Sequence, residues 1–242
     1  MISSADVERY VLKFSDVREK DLTPIVVIQH FNNENKKSVN LNVPFASQAP
    51  FGDWGLPYQE ACEEAALIMA NFYFRGQALS KEIMDSEIKR LVDFEKQEFG
   101  LYSDTTLEEM RQIAVKYFGL KAEISDNVSV DNIKQQVMAG NLVLAPTAGR
   151  ELANPYFKQP GPLYHFLVIR GYDEKYFITN DAGTRRGEEY KYKYKIVINA
   201  IHDLALKTDG AFFRPFEENV SDDEKEAMML KGEKKILIVS LK

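Results

Sequence analysis

The stretch CEEAALIMANFYFRG, residues 62–76, decides how this chain folds. Its apolar side chains recur at helical spacing on every turn and Gly76 supplies a stop signal, so it predicts a buried helix. The segment before it, VNLNVPFASQAPFGDWGLPYQEA, is rich in proline, glycine and aromatic residues, which is typical of an irregular loop. Cys62, the only cysteine of the chain, therefore lies in the first turn of a core helix.

Outward from this helix, the periodicity predicts three more helices and then a run of strands. The helices cover residues 80–97, 105–118 and 129–140, and a TTLEE cap opens the second of them. The strands are NLVLAPTA, YHFLVIRGYD, KYFITNDAGT, EEYKYKYKIV and KKILIVSLK. Because the helices come first and the sheet follows, the order indicates an α+β fold, with the Cys62 helix packed against a C-terminal antiparallel sheet.

The sequence predicts one domain with an N-terminal extension. We predict the domain over residues 39–242 and the extension over residues 1–38, where IVVIQH predicts a strand that ends at His30. The N-terminal residues lack the apolar core of a secretory signal. Every apolar run is far shorter than the roughly 20 residues that cross a bilayer, so we predict no transmembrane segment.

Composition excludes several classes of protein. The 242 residues carry 31 basic and 37 acidic side chains, a net charge of -6, which argues against a dedicated nucleic-acid binder. An apolar fraction of 45% excludes a disordered chain. One cysteine excludes an intramolecular disulfide and a multi-cysteine zinc site, and nothing indicates a cofactor or a metal. The compartment and the oligomeric state stay open.

The position of Cys62 makes it a candidate nucleophile. The free amides at a helix N-terminus stabilise a thiolate and lower the thiol pKa. Glu63 and Glu64 follow directly, and they would oppose that effect if they pointed at the sulfur. Carboxylates in a first turn more simply pair with the helix dipole, which is the role we expect for both.

A nucleophilic cysteine needs a base, and His165 is the best placed of the three histidines. It begins the strand HFLVIRGYD, and the next strand returns with Asp181 at its end. If the two strands are antiparallel neighbours, Asp181 orients the imidazole. Asn180 is an alternative, but side chains at 180 and 181 point to opposite faces, so only one of them can serve.

Two further residues of the loop before Cys62 are candidates. The side-chain amide of Gln48 could join the Cys62 backbone N–H as an oxyanion donor, whereas Gln59 fits a cap or a surface position equally well. Trp54, the only tryptophan, fits a wall of a substrate groove and fits an aromatic plug of the loop equally well.

Two segments around the candidate base have simpler interpretations. Residues 149–162, which precede His165, are glycine- and proline-containing and predict a surface loop, with a lid as the alternative. Residues 188–195 alternate tyrosine with lysine, which predicts a half-buried or edge strand guarded by lysines, with a surface for an acidic or nucleic-acid partner as the alternative.

The order Gln48, Cys62, His165, Asp181 resembles the papain-like cysteine peptidases. The motifs NVPFASQAPFGDW, ACEEAALIMA, HFLVIRGYD and ITNDAGTRRG are similar to the bacteriocin-processing (double-glycine leader) peptidase-like family, in a stand-alone form without a transporter. The resemblance covers about residues 40–190. It implies a papain-like fold, with Gln48 as oxyanion donor, Cys62 as nucleophile, His165 as base and Asp181 as orienting carboxylate. The family often has Gly-Pro after its cysteine, where this chain has Glu63 and Glu64.

These observations lead to one expected function and two alternatives. We expect a cysteine peptidase that hydrolyses a peptide or isopeptide bond of a peptide or protein substrate through a thioester. Acyl transfer to an amine, as in a transpeptidase or transglutaminase, would use the same thioester. A catalytically silent module that binds a peptide or a cell-wall stem would need none of this chemistry, and its cysteine would have ordinary reactivity.

Overall fold

The computed structural model describes residues 36–100 and 102–242, in which helices cover both faces of an antiparallel sheet. Short 3-10 turns lie at Tyr58–Glu60 and Gly149–Leu152. The strands and helices, in chain order, are β1 (Val39–Asn40), α1 (Cys62–Phe74), α2 (Lys81–Glu98), α3 (Leu107–Lys116), β2 (Lys121–Ser125), α4 (Val130–Met138), β3 (Leu142–Ala148), β4 (Tyr164–Tyr172), β5 (Tyr176–Asn180), β6 (Tyr190–Lys193), α5 (Tyr194–Ala200), α6 (Asp222–Met229) and β7 (Ile236–Ser240).

The predicted α+β class is confirmed, and so are the four predicted helices. Helix α1 begins at Cys62, as its apolar periodicity indicates. Ser80, Thr106 and Ser129 cap α2, α3 and α4, each accepting a hydrogen bond from a backbone N–H three residues on. At Thr106 the Glu109 side chain also bonds back to the cap, which completes the box expected from TTLEE.

The sheet has the strand order β2-β7-β3-β4-β5-β6, and β1 pairs with β4. All of its strand pairs are antiparallel. The central strands β3 and β4 are buried along their whole length because both faces of the sheet are covered. Phe166 and Val168 face the cluster that contains α1, α2 and α3, whereas Leu167 and Ile169 face the cluster that contains α4 and α5.

Two predictions about the strands are wrong. Strand β2 lies between α3 and α4 and pairs with β7, so the sheet does not simply follow the helices. Its sequence, KAEIS, gave no signal because it is short, only partly buried and half polar. The strand predicted through Val197 ends at Lys193, and α5 begins at Tyr194, since Val197 and Ala200 are buried one helical turn apart.

The remaining part of the tyrosine-lysine segment matches its interpretation. Strand β6 is the edge strand next to β5. Tyr192 is buried, whereas Lys191 and Lys193 are exposed. Lysines on an edge strand discourage pairing with another sheet.

The chain upstream of Lys36 is not part of this description. The predicted strand that ends at His30 lies outside the described residues. Lys36–Lys242 forms one compact unit, and the boundary between an extension over residues 1–38 and a domain over residues 39–242 stays a prediction. Among the described helices, none combines the length and the apolar character that a bilayer crossing requires.

Candidate active site

Four of the five residues expected at the site line one cavity at the start of α1, and the fifth, Asp181, lies behind one of them. The cavity has a volume of about 410 Å³, and Gln48, Trp54, Cys62 and His165 contribute to its walls. Cys62 reaches it because the loop that precedes α1 ends in the Tyr58–Glu60 turn and delivers the cysteine at the first helical residue. His165 reaches it because it is the second residue of β4, against which α1 packs.

Asp181 lies directly behind His165. Strands β4 and β5 are antiparallel neighbours with Val168 opposite Asn180, as expected, and the turn after β5 brings Asp181 next to the imidazole. His165 Nε2 lies 2.8 Å from Asp181 Oδ1, and both side chains are shielded from solvent. The ring of Phe157 packs edge-on against the imidazole at 5.2 Å between centroids.

Both oxygens of the Asp181 carboxyl group accept further hydrogen bonds. Its Oδ1 also accepts the backbone N–H of Gly183 at 3.1 Å. Its Oδ2 accepts the Tyr192 hydroxyl at 2.6 Å and the Asn154 amide at 3.0 Å. Since both oxygens accept hydrogen bonds from other donors, we assign His165 Nε2 as the donor in its contact, and in a neutral imidazole this tautomer leaves Nδ1 as the acceptor.

Asn180 faces the other way and takes no part in this contact. Its Oδ1 accepts Arg170 Nη1 at 3.2 Å, and its Nδ2 donates to the carbonyl oxygens of Val43 and Pro44 at 3.3 and 3.2 Å. The side chains at 180 and 181 therefore point to opposite sides, as strand geometry requires, and Asp181 is the one beside His165.

Gln48 lies in the cavity wall, but its amide donors are already engaged. Nε2 donates to the carbonyl oxygens of Tyr58 and Gln59 at 2.9 and 3.2 Å. Its Oε1 is buried and has no hydrogen-bond partner among the described residues. The Gln48 backbone N–H bonds to the Ala182 carbonyl at 3.0 Å, which ties this loop to the end of β5. The role of Gln48 as an oxyanion donor stays a prediction.

The other cavity walls come from Trp54 and from the segment before β4. Trp54 is 40% exposed, so it is not a buried plug of its loop. Residues 149–162 contribute Phe157, Lys158, Gly161 and Pro162 to the cavity. The segment expected to be a surface loop or a lid is therefore part of the wall.

Gly183 also lies against His165, and sequence reasoning did not single it out. A Cβ atom at this position would be 2.7 Å from His165 Cε1, a distance that real Cβ atoms do not adopt. Asn154 and Tyr192 were missed for a different reason, because each belongs to a segment whose pattern indicates an ordinary loop or edge strand. A long-range contact to Asp181 leaves no mark in local sequence.

The contact of Cys62 with Glu63 contradicts the simple dipole-pairing role expected for that glutamate. The thiol Sγ lies 2.8 Å from Glu63 Oε2, while Glu63 Oε1 accepts the backbone N–H of Thr105 at 2.9 Å. Burial, the Glu63 charge and this hydrogen bond together raise the pKa of the Cys62 thiol well above its usual value. The Phe166 backbone N–H acts in the opposite direction but is outweighed. The lowered thiol pKa expected from the helix N-terminus is therefore wrong for this geometry.

More carboxyl groups are buried near Cys62. Burial raises the pKa of Glu63 and the pKa of Glu64 well above the usual value. The charge of Glu64 adds to the effect at Glu63, and the charge of Glu95 adds to the effect at Glu64. On the cavity side, burial and then the charge of Asp104 raise the pKa of Glu60 to about 7, and burial raises the pKa of Asp104 itself to about 6. The site is thus acidic and poorly solvated.

Glu95 provides a stability test of this buried cluster. Burial raises its pKa from 4.5 to about 8, so its contribution to stability is fully present below pH 4.5 and is lost as the pH rises through 8. We expect the Glu95 carboxyl group alone to lower the free energy of unfolding by on the order of 3 kcal/mol across that window, and Glu95→Gln to make the total fall smaller by about that amount. Urea unfolding at pH 5 and pH 8 measures both.

The control is Asp93→Asn, at an exposed position of the same helix. It should leave the difference between the two pH values unchanged. Identical differences in Glu95→Gln and in the unmodified protein would contradict a buried neutral carboxyl group at position 95.

Comparison with known proteins gives one family. The model of the Peptidase_C39 like family matches residues 40–204, about two thirds of the chain. No curated protein matches the sequence. Among solved structures, the "putative C39-like peptidase from Bacillus anthracis" is similar, with 18% identity and a TM-score of 0.48, over 85% of this chain and 98% of that chain.

Proposed function

Because the chain belongs to the Peptidase_C39-like family, we propose that it is a cysteine peptidase that cleaves a peptide or isopeptide bond with Cys62 as nucleophile. Family membership agrees with the resemblance to papain-like cysteine peptidases read from the four motifs. The observation that carries the proposal is the 2.8 Å contact between His165 Nε2 and Asp181 Oδ1 in the wall of the cavity that Cys62 also lines. A base with a fixed orientation beside a single thiol is the minimum that thioester chemistry needs.

In the proposed reaction, His165 Nδ1 takes the proton of the Cys62 thiol, and the sulfur forms a bond to the carbonyl carbon of the substrate. The protonated imidazole then gives its proton to the departing amine as the C–N bond breaks, which leaves a thioester on Cys62. Water, deprotonated by His165, attacks the thioester and releases the acid and the thiol. Asp181 holds the ring through Nε2 during each proton transfer.

Cleavage of peptides by the purified chain tests this function. Mass spectrometry of a diverse peptide mixture would reveal new amino and carboxyl termini after incubation, and Cys62→Ala would serve as the blank. Products that carry an added amine instead of a free carboxyl group would show acyl transfer. Absence of any new terminus that depends on Cys62 would contradict the proposed function.

Gln48 offers a test of oxyanion stabilisation. In the proposal its amide leaves the Tyr58 and Gln59 carbonyl oxygens when substrate binds, and joins the Cys62 backbone N–H at the developing negative charge. We expect Gln48→Ala to lower kcat by roughly 10²-fold, with little change in KM. Steady-state kinetics on a peptide that the unmodified chain cleaves would measure this.

The control for Gln48 is thermal unfolding, because its side chain also bridges the turn before α1. A Gln48→Ala variant that keeps its kcat would contradict the donor role. A variant whose Tm falls while kcat and KM change together would show that the amide only supports the Tyr58–Glu60 turn, and this would also contradict the role.

A further inference from the structure

The side chain of Glu63 holds the Cys62 thiol, and it is itself fixed in place. Sγ lies 2.8 Å from Glu63 Oε2, and the other oxygen accepts the Thr105 backbone N–H at 2.9 Å. Cys62 is 5% exposed and Glu63 is 1% exposed, so water does not compete for either group. The backbone of Thr105, just before the cap of α3, therefore holds the carboxyl group against the sulfur.

This contact conflicts with the first step of the proposed reaction. A thiol that donates its hydrogen to Glu63 is not donating it to His165. The contact also disfavours the thiolate, because a carboxyl oxygen that accepts the thiol hydrogen at 2.8 Å stabilises the S–H form in a poorly solvated site. In this geometry the nucleophile is a neutral thiol aimed at the wrong acceptor.

We propose that Glu63 is a positioning residue that keeps Cys62 as a protonated thiol in the free protein, so that reaction begins only when the sulfur turns from Glu63 to His165. The proposal concerns the regulation of the site described above and rests on the proposed peptidase function for its biological meaning. It predicts a nucleophile protected from alkylation and oxidation while the cavity is empty, since the thiolate is the reactive form.

Other charged and titratable groups surround this pair, and each could contribute to its pH dependence. Glu64 lies on the same helix, and Glu95, on α2, is beside Glu64. Tyr102, Asp104, Tyr164 and His165 face Cys62 or Glu63 from the elements packed against them, and Glu60, Lys158 and Lys225 line the same cavity as Cys62. A test must therefore separate Glu63 from its neighbours.

The pH dependence of Cys62 alkylation makes that separation. Because Cys62 is the only cysteine, the mass added by iodoacetamide reports this thiol alone. We expect the alkylation midpoint of the unmodified chain to lie above the value near 8.5 of a free cysteine, and Glu63→Gln to lower it by about one pH unit or more. That shift corresponds to a rate at pH 7 about tenfold higher.

Two matched variants serve as controls. Glu64→Gln removes a buried carboxyl group from the same turn without touching the thiol, and should shift the midpoint by less than half as much. His165→Ala should leave the midpoint unchanged, because in the free protein the Cys62 thiol donates its hydrogen to Glu63 and not to His165. The proposal would be overturned if the alkylation profiles of Glu63→Gln and the unmodified chain coincided. It would also be overturned if the unmodified chain were alkylated at low pH and His165→Ala abolished that reactivity.

The S–H stretching band in the infrared spectrum tests the same contact without a change at Glu63. A thiol that donates a strong hydrogen bond to a carboxyl oxygen absorbs at lower frequency than a thiol in water, and Cys62→Ala supplies the blank. A band at the frequency of a free thiol, or no band at neutral pH, would overturn the proposal. Both measurements are made without a peptide substrate, so failure of the peptidase function and failure of the Glu63 role remain distinguishable.

Discussion

Replacing Cys62 with Ala is expected to abolish peptide cleavage and labelling by a thiol-directed peptidase probe. The thioester cannot form without the sulfur, and the loss of a nucleophile in a triad enzyme lowers kcat by roughly 10⁴-fold or more. The chain has no other cysteine to take over or to react with the probe. Turnover is measured on any peptide that the unmodified chain cleaves, and labelling is measured by mass.

The control for this variant must show that the fold survives. Cys62 packs in the apolar cluster around α1, where alanine fits, but its removal leaves Glu63 Oε2 without the thiol donor. Circular dichroism and thermal unfolding of Cys62→Ala and of Cys62→Ser should show folded protein. Turnover that persists in a folded Cys62→Ala variant would exclude Cys62 as the nucleophile.

Asp181→Asn is expected to lower kcat by roughly 10³- to 10⁴-fold while KM changes little. The Asp181 carboxyl group accepts four hydrogen bonds, including the one from His165 Nε2. The side-chain amide of asparagine is a donor where the carboxylate had an acceptor. It therefore favours the His165 tautomer in which Nδ1 carries the proton, and this nitrogen then cannot act as a base. Steady-state kinetics over a range of pH measures the loss.

The cost to stability should be much smaller than the cost to activity. A mismatched buried hydrogen bond costs about 1–3 kcal/mol, which urea unfolding would detect. Asp173→Asn is the matched control, since Asp173 lies at the other end of the same β4–β5 hairpin and outside the cavity. It should keep its kcat. An Asp181→Asn variant with the kcat of the unmodified chain would remove Asp181 from the proposed mechanism.

How far the sequence predicts the site can be seen by comparing Asp181 with Glu63. Asp181 was predictable because two strands with clear apolar patterns flank a short turn, and antiparallel pairing then places it beside His165. Glu63 was not predictable, because a glutamate in a first helical turn ordinarily faces solvent and pairs with the dipole. Here Thr105, more than 40 positions away, draws its carboxyl group inward against the thiol.

The sequence by itself determined the α+β class, the position of Cys62 at the start of a core helix, and the placement of His165 beside Asp181. These features follow from periodicity, helix caps and pairing between adjacent strands, which are local and repeat along the chain. Only the tertiary structure decided that the Cys62 thiol faces Glu63, that the Gln48 amide is held by the Tyr58 and Gln59 carbonyl oxygens, and that β2 joins the sheet beside β7. Each of the three depends on which distant segments pack together in a buried region, where a hydrogen bond must be found inside the protein because water is absent.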